Sequence, residues 1–120
     1  MPILVKLKSC YILWYGFYQT LNKNSKYTLG QKIDLIFIET IELVSIAVFL
    51  SKEEKLPYIR KAIQKTDTLK VLLMILWEIK ALDNKKYTVL SEPLSEIGKM
   101  LGGWHGQLIK QNSPEKSGEK

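Results

Sequence analysis

The sequence predicts an all-α fold, an antiparallel up-down-up-down four-helix bundle, and three observations carry that prediction. Apolar residues recur at intervals of three and four, turn dipeptides are few, and long periodic stretches are separated by short polar breaks. The first spacing lays a stripe of side chains along a helix, whereas a strand needs strict alternation. With 120 residues, 46% of them hydrophobic and 25% charged, the chain has material for one domain that buries roughly two-thirds of its unfolded surface.

The first helix is expected from about Leu4 to Leu21, where Tyr11, Trp14, Tyr15, Tyr18 and Leu21 share a face. The polar run Asn22-Lys23-Asn24-Ser25-Lys26 ends it. Thr28 then stands where it can cap a second helix carrying Leu29, Ile33, Ile36, Ile41, Leu43, Val44, Ala47 and Leu50, which should finish near Ser51-Lys52. A third helix is expected from about Leu56 to Leu82, with Pro57 in its first turn, where a missing N–H leaves no intrahelical bond unmade. Asp83 or Asn84 caps the fourth, in which Tyr87, Leu90, Leu94, Ile97, Leu101, Trp104 and Leu108 alternate strictly by three and four. Pro93 interrupts the backbone ladder of that helix but not its apolar phase, so a kink is expected and not a break. Helices two to four, at about 22–27 residues or ~33–40 Å each, make residues 1–110 the bundle. The tail, 111–120, has no apolar content and is expected to be disordered.

Charge alternates in blocks. Residues 1–33 hold Lys6, Lys8, Lys23, Lys26 and Lys32 and no acid; residues 34–54 hold five acids and Lys52; residues 55–70 carry Lys55, Arg60, Lys61, Lys65 and Lys70 against Asp67. Packed antiparallel, basic and acidic helices would meet and leave basic strips facing outward. The net charge of +6 and a pI near 9.4 favour polyanionic partners. One cysteine, Cys10, cannot close an intramolecular disulfide, which points to a reducing, cytoplasmic setting. Residues 33–50 are apolar enough to suggest a membrane span, but Asp34, Glu39 and Glu42 would each cost ~2.5–3.5 kcal/mol there, or less near its ends, so no membrane is expected. Lys6 and Lys8 before an apolar run resemble a signal peptide, but no small-residue cleavage site follows.

Catalytic constellations are not found. Glu39/Glu42 and Glu92/Glu96 are carboxylate pairs at helical spacing, read as solvated faces and surface pairs such as Glu96 with Lys99. A di-iron bundle needs Glu-x-x-His on two helices, and three residues before the single histidine, His105, stands Gly102. The Leu101-Gly102-Gly103-Trp104 stretch has no preceding strand and no following Lys-Ser/Thr, so it is not a phosphate loop. No enzyme activity, metal or cofactor is expected. Gly98, Gly102 and Gly106 recur at every fourth position, and each interior glycine costs ~1 kcal/mol relative to alanine. The expected compensation is close approach of a neighbouring backbone, from the same bundle or a second subunit. The stripe Tyr11, Trp14, Tyr15, Phe17 and Tyr18 is read mainly as packing, with base stacking beside lysines as the functional alternative. It spreads over more than one helical face, which argues for an oligomer.

The string Glu96-Ile97-Gly98-Lys99-Met100-Leu101-Gly102-Gly103-Trp104, with Lys86-Tyr87 before it, Thr28-Leu29-Gly30 and Leu69-Lys70, resembles the four-helix proteins of the accessory variability determinant type. These accompany diversity-generating retroelements, and relatives are encoded within intervening sequences of bacterial large-subunit ribosomal RNA genes. The resemblance covers about residues 10–108. It implies a ring-like homopentamer of basic protomers that binds RNA or DNA and partners a reverse transcriptase and template RNA, without catalytic residues of its own. Two departures stand out: Ser25-Lys26-Tyr27 replaces the Phe-Pro pair common in relatives, and Met74 stands where they often have arginine.

The expected function is therefore a non-catalytic nucleic-acid-binding accessory subunit. Arg60, Lys61 and Lys65 on the third helix, Lys85 and Lys86 at the start of the fourth, and Lys23 and Lys26 in the first loop are the candidate phosphate contacts. Gly98, Gly102, Gly103, Trp104 and Gly106 are the candidate oligomer or packing contacts. No base-reading element is visible, so low sequence specificity is expected. The alternative is a protein–protein scaffold whose basic charge is incidental.

Overall fold

A computed structural model of the chain describes residues 1–112. Helix α1 runs Pro2–Gln19, with proline in the first turn, where its missing N–H costs nothing. The chain turns and resumes as helix sooner than Thr28. Asn22, in extended backbone, accepts the Ser25 N–H on its side chain at 2.9 Å and opens a single helical turn, Lys23–Ser25. A π-helical segment, Lys26–Gly30, leads directly into α2, Gln31–Val48. Thr28 is inside that segment and donates its hydroxyl to Asn24 O at 2.6 Å, so the earlier asparagine supplies the cap. Glycine at position 30 permits a close approach: a Cβ there would lie 3.0–3.1 Å from Tyr18, Leu21 and the Ser25 carbonyl.

Helix α3, Lys52–Glu78, also begins before its expected start near Leu56. Ser51 and Glu54 form a reciprocal capping box, each side chain accepting the other's backbone N–H at 3.4 Å. Pro57 is consequently the sixth helical residue, and the bond it forfeits is to the carbonyl of Glu53, in an exposed first turn that water can reach. Lys55 reaches back to the end of α2, donating to Ala47 O at 2.7 Å and Val48 O at 3.3 Å. Its charge sits where the α2 carbonyls have no helical partner and the helix dipole favours a cation.

The third helix stops at Glu78, short of Leu82, because the chain leaves through a Schellman turn: Lys80 N–H bonds Trp77 O at 3.0 Å and Ala81 N–H bonds Leu76 O at 2.9 Å. Lys80 holds φ at 67°, the left-handed conformation usually given to glycine. Lys80→Gly is therefore expected to stabilise the fold by about 1 kcal/mol, read as a higher urea midpoint at an unchanged denaturant slope.

Helix α4, Asn84–Gln111, starts at Asp83, whose carboxylate accepts the Lys86 N–H at 2.8 Å, as the sequence predicts. It continues unbroken through Pro93. Gln111 is still helical, and Asn112 donates its side-chain amide to Lys52 O at 3.2 Å, fastening the end of α4 to the start of α3. The bundle thus extends past residue 110; of the tail expected to be disordered, 113–120 lies outside the described residues.

Cross-links fix the antiparallel order. Lys6 meets Glu96 between α1 and α4, Trp14 meets Asp34 and Phe37 between α1 and α2, Lys65 meets Glu39 between α2 and α3, and Trp77 stacks on Tyr87 between α3 and α4. Each helix touches its two chain neighbours, with α1 and α4 closing the square. The body is elongated, 59 × 22 × 21 Å. Its core includes Leu7, Trp14, Ile33, Phe37, Ile59, Leu69, Leu73 and Leu76, together with Leu90, Leu94, Ile97, Leu101 and Leu108 of the predicted α4 seam. Buried Thr40 and Thr66 satisfy their hydroxyls on Ile36 O and Ala62 O one turn back. No helix among the described residues is long and apolar enough to cross a membrane.

Candidate nucleic-acid interface

The end of the bundle where α1 finishes, α2 begins, α3 finishes and α4 begins gathers four of the seven candidate phosphate contacts. Lys23 and Lys26 come from the opening of the second helix, Lys85 and Lys86 from the first turn of α4. Aromatic rings support two of them. Lys86 Nζ lies 5.5 Å from the Phe17 ring centre, and Lys26 Nζ lies 5.8 Å from both Tyr18 and Tyr27. Such contacts orient the long stems while the ammonium keeps its charge. Phe17 and Tyr18 are consecutive on α1, so the two clusters adjoin. Among the described residues the ion pairs are Lys6–Glu96 at 2.7 Å and Lys65–Glu39 at 2.9 Å, so none of these four lysines is held by a carboxylate. The nearby Asp83 carboxylate is engaged in capping α4.

The remaining three candidates lie elsewhere. Arg60 and Lys61 are exposed near the middle of α3, while Lys65 is bound to Glu39. Thirteen residues of helix separate Lys65 from Glu78, roughly 20 Å along the axis, so the α3 group and the lysine-rich end are distinct patches. Glu96, expected to pair with Lys99, is held by Lys6 across the helices, which keeps its carboxyl below the ordinary range. Among the described residues, the expected meeting of basic and acidic blocks takes the form of one ion pair, Lys65–Glu39, while Lys6–Glu96 joins the first basic block to the last helix.

The glycine edge of α4 differs from the expected close-packed notch. A Cβ at Gly98 would come within 2.8 Å of Lys70 Nζ, so a side chain lies over it and not a backbone. At Gly102, Gly103 and Gly106 a Cβ would meet nothing within 4 Å, and all three are exposed. Half-buried Trp104 receives Lys55, whose Nζ is 5.6 Å from its ring centre.

The aromatic stripe divides. Trp14 is fully buried, stacked between Tyr18 and Phe37, and donates its indole N–H to Asp34 at 3.1 Å; Tyr11 donates to the same carboxylate oxygen at 2.9 Å. Tyr15 is left 53% exposed. Burial, reinforced by the Asp34 hydrogen bond and charge, pushes the Tyr11 hydroxyl up to about 12. Burial alone pushes the Cys10 thiol up to about 12, which keeps it a packed thiol and not a nucleophile. Both groups release protons more readily in the unfolded chain, so stability is complete below about pH 9 and declines toward pH 12. Cys10→Ala should flatten that decline in urea midpoints measured across the range.

Trp77 and Lys80 were not marked by the sequence pattern. Trp77 stacks on Tyr87 with ring centres 4.9 Å apart and an interplanar angle of 10°, and its N–H is bound to Asn84 Oδ1 at 2.7 Å. A tryptophan one turn before a tight interhelical turn, with a tyrosine one turn beyond it, was the available signal. Comparison with protein-family models and with curated proteins returns no match to this chain.

Proposed function

We propose that the chain is a non-catalytic nucleic-acid-binding subunit whose lysine-rich bundle end holds the phosphates of RNA or DNA. The observation that carries this reading is the convergence of Lys23, Lys26, Lys85 and Lys86, from two separated stretches of sequence, without carboxylate partners among the described residues. An array of free cations on a rigid frame releases counterions when it meets a polyanion, and that release drives binding irrespective of base sequence. On the strength of the sequence resemblance, the proposed setting is a diversity-generating retroelement, where the protein would accompany a reverse transcriptase and its template RNA.

Assembly into a ring-like homopentamer belongs to the same proposal. Leu35, Ile38 and Ile46 of α2 and Phe49 just beyond its end lie on one exposed side, and Phe49 is 88% exposed. Exposed apolar side chains on one helical side, here flanking exposed Glu42, suit a contact that an assembly covers. Repetition of one lysine-rich end around a ring would raise avidity without any new contact.

Fluorescence anisotropy with a labelled duplex at increasing salt tests the binding claim. Affinity should fall log-linearly, each phosphate contact adding about −0.9 to the slope. Native mass spectrometry tests the ring, which should appear at five times the 13.9 kDa protomer mass. The α2 stripe also favours a second reading, a protein–protein scaffold of the ribosomal RNA intervening-sequence type. A stable oligomer that leaves duplex and single strand unbound in dilute salt would select it.

A further inference from the structure

The turn between α3 and α4 opens into a cleft of about 550 Å³ lined by Trp77, Glu78, Lys80, Leu82, Asp83 and Asn84, within the ~300–1,000 Å³ common for ligand sites. Trp77 lines the cleft, and Tyr87, which stacks on its indole, does not. Stacked on one side and hydrogen-bonded to Asn84 at its edge, the indole has little freedom left to lose when another planar ring lands on it. It remains 36% exposed.

The charges around the indole select what fits. Glu78 and Asp83 on the wall repel a phosphate from the cleft itself, which favours an uncharged ring there. Lys80 supplies a cation on the same wall from a left-handed backbone position that glycine would fill with less strain. Lys85, adjacent in sequence to Asn84, is exposed beside it. We infer that this cleft seats one unpaired nucleobase of a single-stranded nucleic acid, stacked on Trp77, while its flanking phosphates reach Lys80 and Lys85. The inference rests on the nucleic-acid reading above and narrows it. A base inside a duplex has both faces covered by its neighbours and cannot enter, so the seat favours single strands.

The test compares a labelled 12-nucleotide single strand with a duplex of the same sequence, by anisotropy at one salt concentration. Trp77→Leu should weaken single-strand binding by about tenfold and leave duplex binding unchanged, whereas Trp77→Phe, still aromatic, should lose no more than about threefold. Lys80→Gly should melt about 3–5 °C higher and yet bind the single strand about threefold more weakly. This second variant keeps the question answerable if Trp77→Leu fails to fold. Adenosine monophosphate should compete only at millimolar concentration, because it lacks the neighbouring phosphates; competition in the micromolar range would make the cleft a free-nucleotide site and overturn the assignment. Equal single-strand affinity in wild type, Trp77→Leu and Lys80→Gly overturns the seat and leaves the lysine reading standing. A wild-type protein that binds neither single strand nor duplex overturns both.

Discussion

Replacing Lys23, Lys26, Lys85 and Lys86 together with glutamate is expected to lower duplex affinity by about three to four orders of magnitude at 0.1 M salt. A phosphate contact with a slope near −0.9 contributes about eightfold at that concentration, and four such contacts multiply. The salt dependence itself should flatten by about 3.6 in slope, a signature that unfolding would not imitate. The fold should survive, since none of the four lysines is buried and none makes an ion pair among the described residues. A parallel change of Arg60 and Lys61 separates the two basic patches: a loss of similar size per residue would place the middle of α3 on the ligand as well. Unchanged affinity in the quadruple variant would refute the proposed interface.

The largest stability effect is expected at Trp14. Trp14→Ala removes a fully buried indole stacked against Tyr18 and Phe37 at 5.4 and 6.2 Å, and should cost about 4 kcal/mol. Domains of this size are stable by only about 5–15 kcal/mol, so the variant should be extensively unfolded at moderate urea. Asp34→Asn provides the contrast. It keeps an oxygen able to accept from the Trp14 and Tyr11 donors, and should cost less than about 1 kcal/mol. Both are read from urea midpoints at one protein concentration, because any assembly would couple stability to concentration. A loss below about 1 kcal/mol in Trp14→Ala would contradict the packing described for α1 against α2.

The α4 seam was legible because period and phase are local: Leu90, Leu94, Ile97, Leu101 and Leu108 are all buried as their spacing requires. Helix starts were less so. Pro57 drew the predicted start of α3 toward itself, while the Ser51/Glu54 box five residues earlier carried the stronger physical signal, two reciprocal bonds to otherwise unpaired donors. Thr28 and Asn22 posed the same problem, and the asparagine, already in extended backbone, caps. Composition correctly separated basic from acidic stretches but could not assign partners. That Glu39 takes Lys65 and Glu96 takes Lys6 depends on how far each helix slides along its neighbour, a property of the folded pair and not of either segment. The same register brings Lys23 and Lys26 to Lys85 and Lys86 while leaving Arg60 and Lys61 on another part of the surface. Likewise, Gly102 and Gly106 have the four-residue spacing of a packing notch but face open space within the protomer.

Lys55 gives experiments on this surface an internal standard. Its ammonium is spent on the Ala47 and Val48 carbonyls and lies over Trp104 at the opposite end of the bundle from the four candidate lysines. In acylation footprinting it should therefore react slowly whether or not a polyanion is present. Protection appearing at Lys23, Lys26, Lys85 or Lys86 can be scaled against that constant signal, which distinguishes ligand coverage from a general change in reagent or fold.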